Sequence, residues 1–354
     1  MLKRALSFVL LAVLLLCAGI PEASAQKTSI TPLLDPQKVK ITQTQDEFLN
    51  ILLLGLDLST GVHHASGNKR QLMKAHTDVV MLVCINKTKG RIDLLSIPRD
   101  TLVNVPDVHG LYKLNAAFNT ATNPTEGFRH TVNTVSWFLC GVKIDAYCAV
   151  DIAALYTMMD IIGGVDYDLE MNYIGTSGTK YKAGFQHLDA MGIVDYVRAR
   201  VNATVDRNDM GRTARNRRMV IALFDKLKGD INMIKELWAL KDNKDVLFYT
   251  DMKGLYVITD MWDFLQSIDS AEIGSYMISG DYHLYVLGKY NANITDQKQR
   301  IETVKTIFGF APEEIPFVSA EFCSWFIQPT GGCLYTQNIR QARLILDYAL
   351  LHAD

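Results

Sequence analysis

Three strand-like segments within residues 50–97 place the strongest constraint on what this chain can fold into. Residues 50–56 and 79–85 are continuous apolar runs, and residues 91–97 alternate partly between polar and apolar side chains before Pro98 ends the segment. Only the short connection 87–90 separates the second segment from the third, so these two strands should pair in antiparallel fashion. The pattern predicts a sheet to which the first segment belongs as well.

Charged residues stand at corresponding ends of these segments. Asp57 follows the first, Asp78 precedes the second, and Arg99 and Asp100 follow the third. If the strands run up, down and up in one meander, all four residues lie at one edge of the sheet. The polar 20-residue loop 58–77, which leads into Asp78, is long enough to favour a functional role.

Helical periodicity dominates the middle of the chain. Helices are predicted over residues 130–138, 151–162 and 189–198, and another should begin near Gly211. The second has apolar residues on several sides and stops at a glycine pair; these residues are Leu155, Met158, Met159, Ile161 and Ile162. Core packing and the wall of a lipid pocket both explain that composition.

Seven arginines and no lysine occupy residues 198–218. Because a guanidinium group makes two parallel hydrogen bonds to a phosphate or carboxylate, this choice of residue indicates recognition of an anion. Arg212 and Arg215 share a helix face with Met219 and Leu223, whereas Arg217 and Arg218 fall off that face and are predicted to face solvent. The alternative is a solvated basic surface paired with nearby aspartates.

The N-terminus has the pattern of an export signal. Lys3 and Arg4 precede the apolar run 5–20, and Ala-Ser-Ala at 23–25 resembles a cleavage site, although an uncleaved anchor also fits. We therefore predict a signal at 1–25, a polar linker at 26–45, a catalytic domain at 46–310 and a tail at 311–354. Export and a net charge of -2 among 354 residues argue against a nucleic-acid partner.

The cysteines allow disulfides in an exported protein. The short separations make Cys140 with Cys148, and Cys323 with Cys333, the natural pairs. Cys84 lies within an apolar strand and is predicted to be a buried thiol.

Weaker patterns cover the last third of the chain. They predict strands at 247–249, 257–258 and 282–287, and helices at 296–308 and 338–351.

Two carboxylates and several arginines at one sheet edge suit a pyrophosphate bound together with a divalent cation. Mg2+ prefers carboxylate and phosphate oxygens, and cations offset the charge of a leaving pyrophosphate. Phosphoryl transfer with Mg2+ as cofactor is the chemistry that this set of residues favours.

The motifs and their order resemble those of the LytR-CpsA-Psr family of cell-envelope phosphotransferases over residues 48–221. The segments that carry the resemblance are LLLGLD ending at Asp57, TDVVML with Asp78, LLSIPRDT with Arg99 and Asp100, KLNAAF from Lys113, DIIGGVDYD from Asp160, DYVRAR with Arg198 and Arg200, and DMGRTARN with Asp209, Arg212, Arg215 and Asn216.

The resemblance implies an α/β/α arrangement with a central mixed sheet, flanking helices and a hydrophobic lipid pocket. It further implies transfer of a glycopolymer, of the teichoic acid or capsular polysaccharide type, from a polyprenyl pyrophosphate carrier to peptidoglycan at the outer face of the cytoplasmic membrane. Asp57 and Asp78 would bind Mg2+, and Asp100 is a candidate base. The pyrophosphate would lie among Arg99, Arg198, Arg200, Arg212, Arg215 and Asn216, with Arg99, Arg198 and Arg200 assigned to catalysis.

This chain also departs from the family pattern. Ser59 and His76 stand where arginines are common, and Asn216 with Arg217 replaces the usual glutamine pair. Two alternatives therefore stay open: hydrolysis of the same carrier, with water as acceptor, and binding of the carrier without catalysis.

Overall fold

The computed structural model describes residues 47–57, 72–73, 75–108, 110–199, 204, 209–243, 245–252, 256–286 and 290–309. These residues form two compact units. Phe48–Ser96 and Asp145–Met277 make up the first, and Ile97–Ile144 with residues 278–309 make up the second. The predicted export signal, linker and tail helix, together with Ser59, Arg200, Cys323 and Cys333, lie outside the described residues.

The strands in chain order are β1 (Phe48–Asp57), β2 (His76–Asn86), β3 (Arg91–Ser96), β4 (Leu102–Val105), β5 (Gly110–Lys113), β6 (Ala146–Asp151), β7 (Val165–Leu169), β8 (Tyr173–Ile174), β9 (Lys180–Tyr181), β10 (Gly184–Leu188), β11 (Phe248–Thr250), β12 (Gly274–Met277), β13 (Gly280–Val286) and β14 (Tyr290–Thr295). The helices are α1 (Pro124–Phe138), α2 (Ile152–Ile162), α3 (Ala190–Arg198), α4 (Asp209–Leu227), α5 (Ile231–Ala239), α6 (Tyr256–Ser267) and α7 (Gln297–Phe308).

A central sheet organises the first unit. Its strand order is β11-β6-β1-β2-β3-β12, with parallel pairing of β6 to β1 and of β12 to β3, and antiparallel pairing elsewhere. The predicted meander of β1, β2 and β3 is confirmed, and so is the class of a mixed sheet flanked by helices. The central strands β1 and β2 carry continuous apolar runs at 51–54 and 79–85, as expected for a sheet that is covered on both faces.

Aspartates begin the two helices that shape the site. Asp151 caps α2 by accepting a hydrogen bond from the Ala154 amide at 2.7 Å. Asp189 caps α3 in the same way, through the Gly192 amide at 2.8 Å. The predicted helices at 151–162 and 189–198 are therefore confirmed, and Asp151 and Asp189 are the residues that start them.

The second unit contains the hairpins β4–β5 and β13–β14 and the helices α1 and α7. An isolated bridge joins Thr101 to Asn293, and the Asn293 amide donates to the Asp100 carbonyl at 2.9 Å. The buried Arg300 guanidinium donates to the Phe138 carbonyl, which joins α7 to the end of α1.

One predicted strand is wrong. Residues 257–258 lie within α6, where Leu265 is buried and Met261 and Phe264 pack against the core of the first unit. Two adjacent apolar residues fit a strand or a helix equally well. The helical spacing of Met261, Phe264 and Leu265 further along the segment favours the helix.

The predicted disulfide between Cys140 and Cys148 is also wrong. Both residues, like Cys84, are free buried thiols. Cys148 lies inside β6, whereas Cys140 follows the end of α1 with a positive φ of 69°. Burial raises the pKa of Cys140 to about 11, so its thiol stays protonated at neutral pH. The two cysteines are close in sequence but are not bonded to each other, because the segment between them leads from the end of α1 into strand β6.

No helix among the described residues is both long enough and apolar enough to cross a membrane.

The glycine pair at the end of α2 offers a matched test of the fold. Gly163 and Gly164 both have positive φ, 71° and 73°. A methyl group at Gly163 would meet no atom within 4 Å, whereas at Gly164 it would lie 2.3 Å from the Leu188 carbonyl oxygen. We expect Gly163→Ala to lower the free energy of unfolding by about 1 to 2 kcal/mol, from backbone strain alone.

Gly164→Ala should lower the free energy of unfolding by more, at least about 3 kcal/mol. The added methyl group would collide with the backbone at Leu188 in addition to straining the backbone at residue 164. Urea denaturation of the two variants measures the difference. Equal losses would contradict the close approach of β10 to this turn.

Candidate functional site

A cavity of about 300 Å3 lies inside the first unit. Strands β1, β2 and β6 and helices α2, α3 and α4 supply most of its wall. The apolar lining residues are Leu53, Leu54, Leu56, Val79, Met81, Val150, Ile152, Leu155, Met158, Ile193, Val197, Met219, Val220, Leu223, Leu237 and Phe248. Among its polar lining residues are Asp57, Asp78, Arg198, Arg212 and Asn216, so the cavity combines a large apolar surface with charged groups.

The two aspartates that the sequence predicts as Mg2+ ligands reach the cavity from adjacent strands. Asp57 is the last residue of β1 and pairs with His76. The register shifts between Gly55, opposite Val79, and Leu56, opposite Thr77, so that Asp78 is the additional residue of a bulge. A methyl group at Gly55 would lie 2.9 Å from Cβ of Val79, which explains the glycine beside the bulge. The bulge therefore sets the position of Asp78, and the sequence-based expectation that Asp57 and Asp78 share one edge is confirmed.

Two arginines line the same cavity. Arg198 ends α3 and is exposed. Arg212 is only 6% exposed; its Nη2 atom lies 2.9 Å from Oδ1 of Asp209 and donates to the Asp78 carbonyl at 3.2 Å. Arg212 is thus held in place and braces the bulge, whereas Arg198 presents its charge towards solvent at the cavity.

Asn216 is the second polar residue, after Arg212, that α4 brings to this site. It is 8% exposed and lines the cavity, and its Oδ1 atom has no hydrogen-bond partner within the described part of the chain. Because leaving a buried acceptor unpaired is costly, this oxygen favours a ligand group that donates a hydrogen bond. The Nδ2 atom of the same amide can donate to an acceptor such as a phosphate oxygen.

The remaining arginines of α4 have other surroundings. Arg215 is fully buried, donates to the Ala199 carbonyl and lies 3.9 Å from the Met171 sulfur, so it connects α4 to the end of α3. It does not belong to the cavity lining formed by the described residues, and its contact with pyrophosphate stays a prediction.

The prediction that Arg217 faces solvent is wrong. The side chain is 7% exposed, and its Nε donates to the Ser275 hydroxyl at 2.9 Å. Burial, with the neighbouring Arg218 charge, lowers the pKa of Arg217 to about 10. Helix periodicity missed this because strand β12, 58 residues further along the chain, covers that face of α4. Arg218 is partly exposed and pairs with Glu170.

The predicted lipid-wall residues divide into two groups. Leu155 and Met158 line the cavity. Met159 and Ile162 are buried in the core of the first unit, outside the cavity lining that the described residues form. Core packing is therefore confirmed for Met159 and Ile162, whereas Leu155 and Met158 line a cavity whose lipid ligand stays a prediction.

Arg99 and Asp100 belong to the second unit. The Asp100 carboxylate accepts a hydrogen bond from Lys113 Nζ at 2.7 Å and lies 3.7 Å from Arg99 Nε. Lys113, the first residue of the KLNAAF motif, is a partner of Asp100 that the sequence reasoning did not assign. The functional roles of Arg99 and Asp100 stay predictions.

Two further polar residues of the cavity were missed. Asp151 lines it from the start of α2, and burial raises the pKa of this carboxyl. Thr176 lines it from the turn between β8 and β9. Asp151 had a sequence signal, as an aspartate directly before a helix, whereas Thr176 had none, because its segment approaches the cavity only in the folded protein.

The donor set around the cavity fits Mg2+. Within the described residues no group of three or more His, Cys, Asp or Glu side chains could hold a metal ion. Of the three aspartates that line the cavity, Asp57 and Asp78 are the pair predicted for the ion. Mg2+ is commonly held by one or two carboxylates together with phosphate oxygens of the substrate. The site therefore suits an ion that arrives with a phosphate ligand better than an ion held by protein alone.

Fold and cavity together define an α/β protein with an apolar pocket that carries charged groups at its wall. The chain belongs to the LytR_cpsA_psr family, whose profile matches residues 18–308.

Named relatives resemble part of the chain. The probable cell wall biosynthesis protein LcpB of Corynebacterium glutamicum is 34% identical over 180 residues, which are 49% of this chain and 41% of that protein. The polyisoprenyl-teichoic acid–peptidoglycan teichoic acid transferase TagV of Bacillus subtilis is 30% identical over 170 residues, 46% of this chain and 41% of TagV. The chain thus spans about two fifths of the length of these two relatives.

Solved structures share the fold. The B. subtilis TagV crystal structure aligns with a TM-score of 0.58 at 23% identity and covers 75% of this chain and 99% of that one. TagT bound to LIIa-WTA aligns with a TM-score of 0.56 at 21% identity, and the alignment covers 79% of this chain and 94% of that one.

Proposed function

We propose that this protein is an extracytoplasmic phosphotransferase. Its donor would be a glycopolymer of the teichoic acid or capsular polysaccharide type on a polyprenyl pyrophosphate carrier, and its acceptor a sugar hydroxyl of peptidoglycan. Family membership and the names of relatives such as TagV support the reaction class. The observation that carries the proposal is a cavity lined by apolar side chains, three aspartates and two arginines.

The cavity suits both ends of such a carrier. An isoprenoid tail gains about 25 cal/mol for each Å2 of apolar surface that it buries, which favours the Leu155 and Met158 wall. A pyrophosphate is a dianion or more, and it matches the guanidinium groups of Arg198 and Arg212. A soluble phosphate would leave most of the apolar wall without a ligand.

The chain's own residues would bind and orient the pyrophosphate. Arg198 would donate to phosphate oxygens, and Arg212, braced by Asp209, would hold its charge at a fixed place. Asn216 would donate through its amide group. In this proposal Asp57 and Asp78 hold Mg2+, which would offset negative charge on the pyrophosphate. Asp100 is proposed as the base that accepts the proton of the acceptor hydroxyl, with Lys113 as its partner.

The place of action follows from the N-terminal pattern and from the proposed substrates. A signal at 1–25 would carry the chain across the cytoplasmic membrane, where the carrier and peptidoglycan meet.

Ligand binding tests the proposal. We expect a long-chain polyprenyl pyrophosphate to bind at least tenfold more tightly than a water-soluble nucleotide sugar at the same ionic strength. Leu155→Trp should remove much of this preference, because the larger side chain would fill the cavity.

Tyr156→Trp is the matched control, since Tyr156 is 40% exposed on the same helix and lies outside the described cavity lining. Equal affinities for the two ligands in the wild-type protein would reject the lipid carrier. Product analysis with carrier and peptidoglycan then separates transfer from release of the polymer into water.

A further inference from the structure

The turn between β8 and β9 is attached to helix α3 by one buried carboxylate. Oδ1 of Asp195 accepts two hydrogen bonds from Thr176, from the amide at 3.0 Å and from the hydroxyl at 2.8 Å. Asp195 is 3% exposed, whereas Thr176 is exposed and lines the cavity. A residue of α3 therefore determines how the tip of this turn meets the cavity.

The surroundings are built for this contact. A methyl group at Gly175 would lie 2.1 Å from Oδ2 of Asp195, so only glycine leaves room for the carboxylate. Gly178 adopts a positive φ of 85°, and its amide closes the turn on the Gly175 carbonyl at 3.0 Å. The turn is therefore shaped around Asp195.

Strand β8, which leads into the turn, is anchored to the same helix, and β9 stacks on β8. The Tyr173 hydroxyl donates to the Gly192 carbonyl at 2.9 Å, and the Tyr173 and Tyr181 rings stack with centroids 4.4 Å apart. Three hydrogen bonds, two to Asp195 and one to Gly192, thus hold the hairpin on α3, which makes Thr176 a fixed part of the cavity wall.

The direction of the hydroxyl hydrogen decides what Thr176 can bind. An ionised carboxylate only accepts hydrogen bonds, so the single hydrogen of the Thr176 hydroxyl points to Asp195. The oxygen retains lone pairs and therefore offers the ligand an acceptor. Phosphate oxygens are also acceptors, and the nearby Asp195 charge repels them further.

We propose that Thr176 is a specificity-determining residue that accepts a hydrogen bond from a hydroxyl or N–H group of the first sugar on the pyrophosphate, and that Asp195 is its positioning residue. The inference rests on the proposed function and adds a contact to it. The cavity wall would then be divided by charge, since Arg198 and Arg212 attract the pyrophosphate while the Thr176 turn selects a carrier bearing a sugar.

The test compares two carriers: polyprenyl pyrophosphate and the same carrier with one N-acetylglucosamine. Thr176→Val should weaken binding of the sugar-bearing carrier by about 3- to 10-fold, the equivalent of one neutral hydrogen bond, and leave binding of the bare carrier unchanged. Thr176→Ser should restore the lost affinity. Asp195→Asn should also reduce the preference for the sugar-bearing carrier over the bare carrier, but by a smaller factor than Thr176→Val. If Asp195 had a purely structural role, Asp195→Asn would weaken binding of both carriers equally.

Thr179→Val is the matched control. Thr179 lies in the same turn and bonds to the Ser177 hydroxyl at 2.8 Å, outside the described cavity lining. If Thr176→Val changes both affinities equally, or neither, the inference is overturned while the proposed function stands. If the wild-type protein binds neither carrier, the proposed function is overturned, and the inference with it.

Discussion

Replacing Arg198 by lysine is expected to lower the rate of glycopolymer transfer by a factor of about 10² to 10³. The reason is geometric, since a lysine keeps the positive charge but cannot make two parallel hydrogen bonds to a pyrophosphate. Arg198 lies at the end of α3 and lines the cavity, so the substitution removes donors from the cavity wall itself. Steady-state transfer with a lipid-linked donor measures the effect. Arg200→Lys is expected to behave in the same way, because Arg200 stands in the same DYVRAR motif.

Arg218→Lys is the matched control. Arg218 pairs with Glu170 and lies outside the cavity lining formed by the described residues, so transfer should stay close to the wild-type rate. Turnover near the wild-type level in a folded Arg198→Lys variant would mean that this arginine belongs to a solvated basic surface.

Asp57→Asn and Asp78→Asn are each expected to reduce transfer by a factor of about 10² or more at a limiting Mg2+ concentration, and to shift the Mg2+ dependence to higher concentration. An amide keeps the shape of the side chain but removes the charge that offsets the divalent ion. The two residues reach one cavity from adjacent strands, at the end of β1 and at the bulge of β2. Losing either should therefore produce the same change in the Mg2+ titration.

Asp168→Asn, on the exposed face of β7, serves as the control for a strand aspartate outside the described lining. A Mg2+ titration that is unchanged in both variants, measured with carrier present, would reject a shared metal site. If only one variant shifts, a single carboxylate holds the ion.

Local sequence determined most of the secondary structure around this site. The meander of β1, β2 and β3 follows from three apolar segments and a short connection, and both strands that carry the acidic residues were predicted within a few residues of their observed bounds. Asp151 and Asp189 mark the starts of α2 and α3, and Gly163 marks the end of α2. These features depend on periodicity and on capping by neighbouring side chains. Both involve residues that are close together in the chain, so they can be predicted from the sequence.

Long-range packing decided which side chains face the cavity. The apolar composition of α2 could not distinguish the cavity residues Leu155 and Met158 from the core residues Met159 and Ile162. Arg217 became buried because Ser275 of a distant strand covers it, and Arg215 turned to the Ala199 carbonyl. In each case the helical periodicity predicts which face of the helix a residue occupies. What packs against that face comes from another part of the chain, so periodicity cannot predict it.

The sequence by itself determined the β1–β2–β3 meander, the helices α2 and α3, the acidic pair at one sheet edge and the arginine-rich helix α4. Only the tertiary structure decided that Cys140 and Cys148 remain thiols, that a bulge places Asp78, and that Asp195 holds Thr176 at the cavity. Local propensity acts between neighbours in sequence, whereas these three outcomes depend on distances between segments that approach each other only when the core is packed.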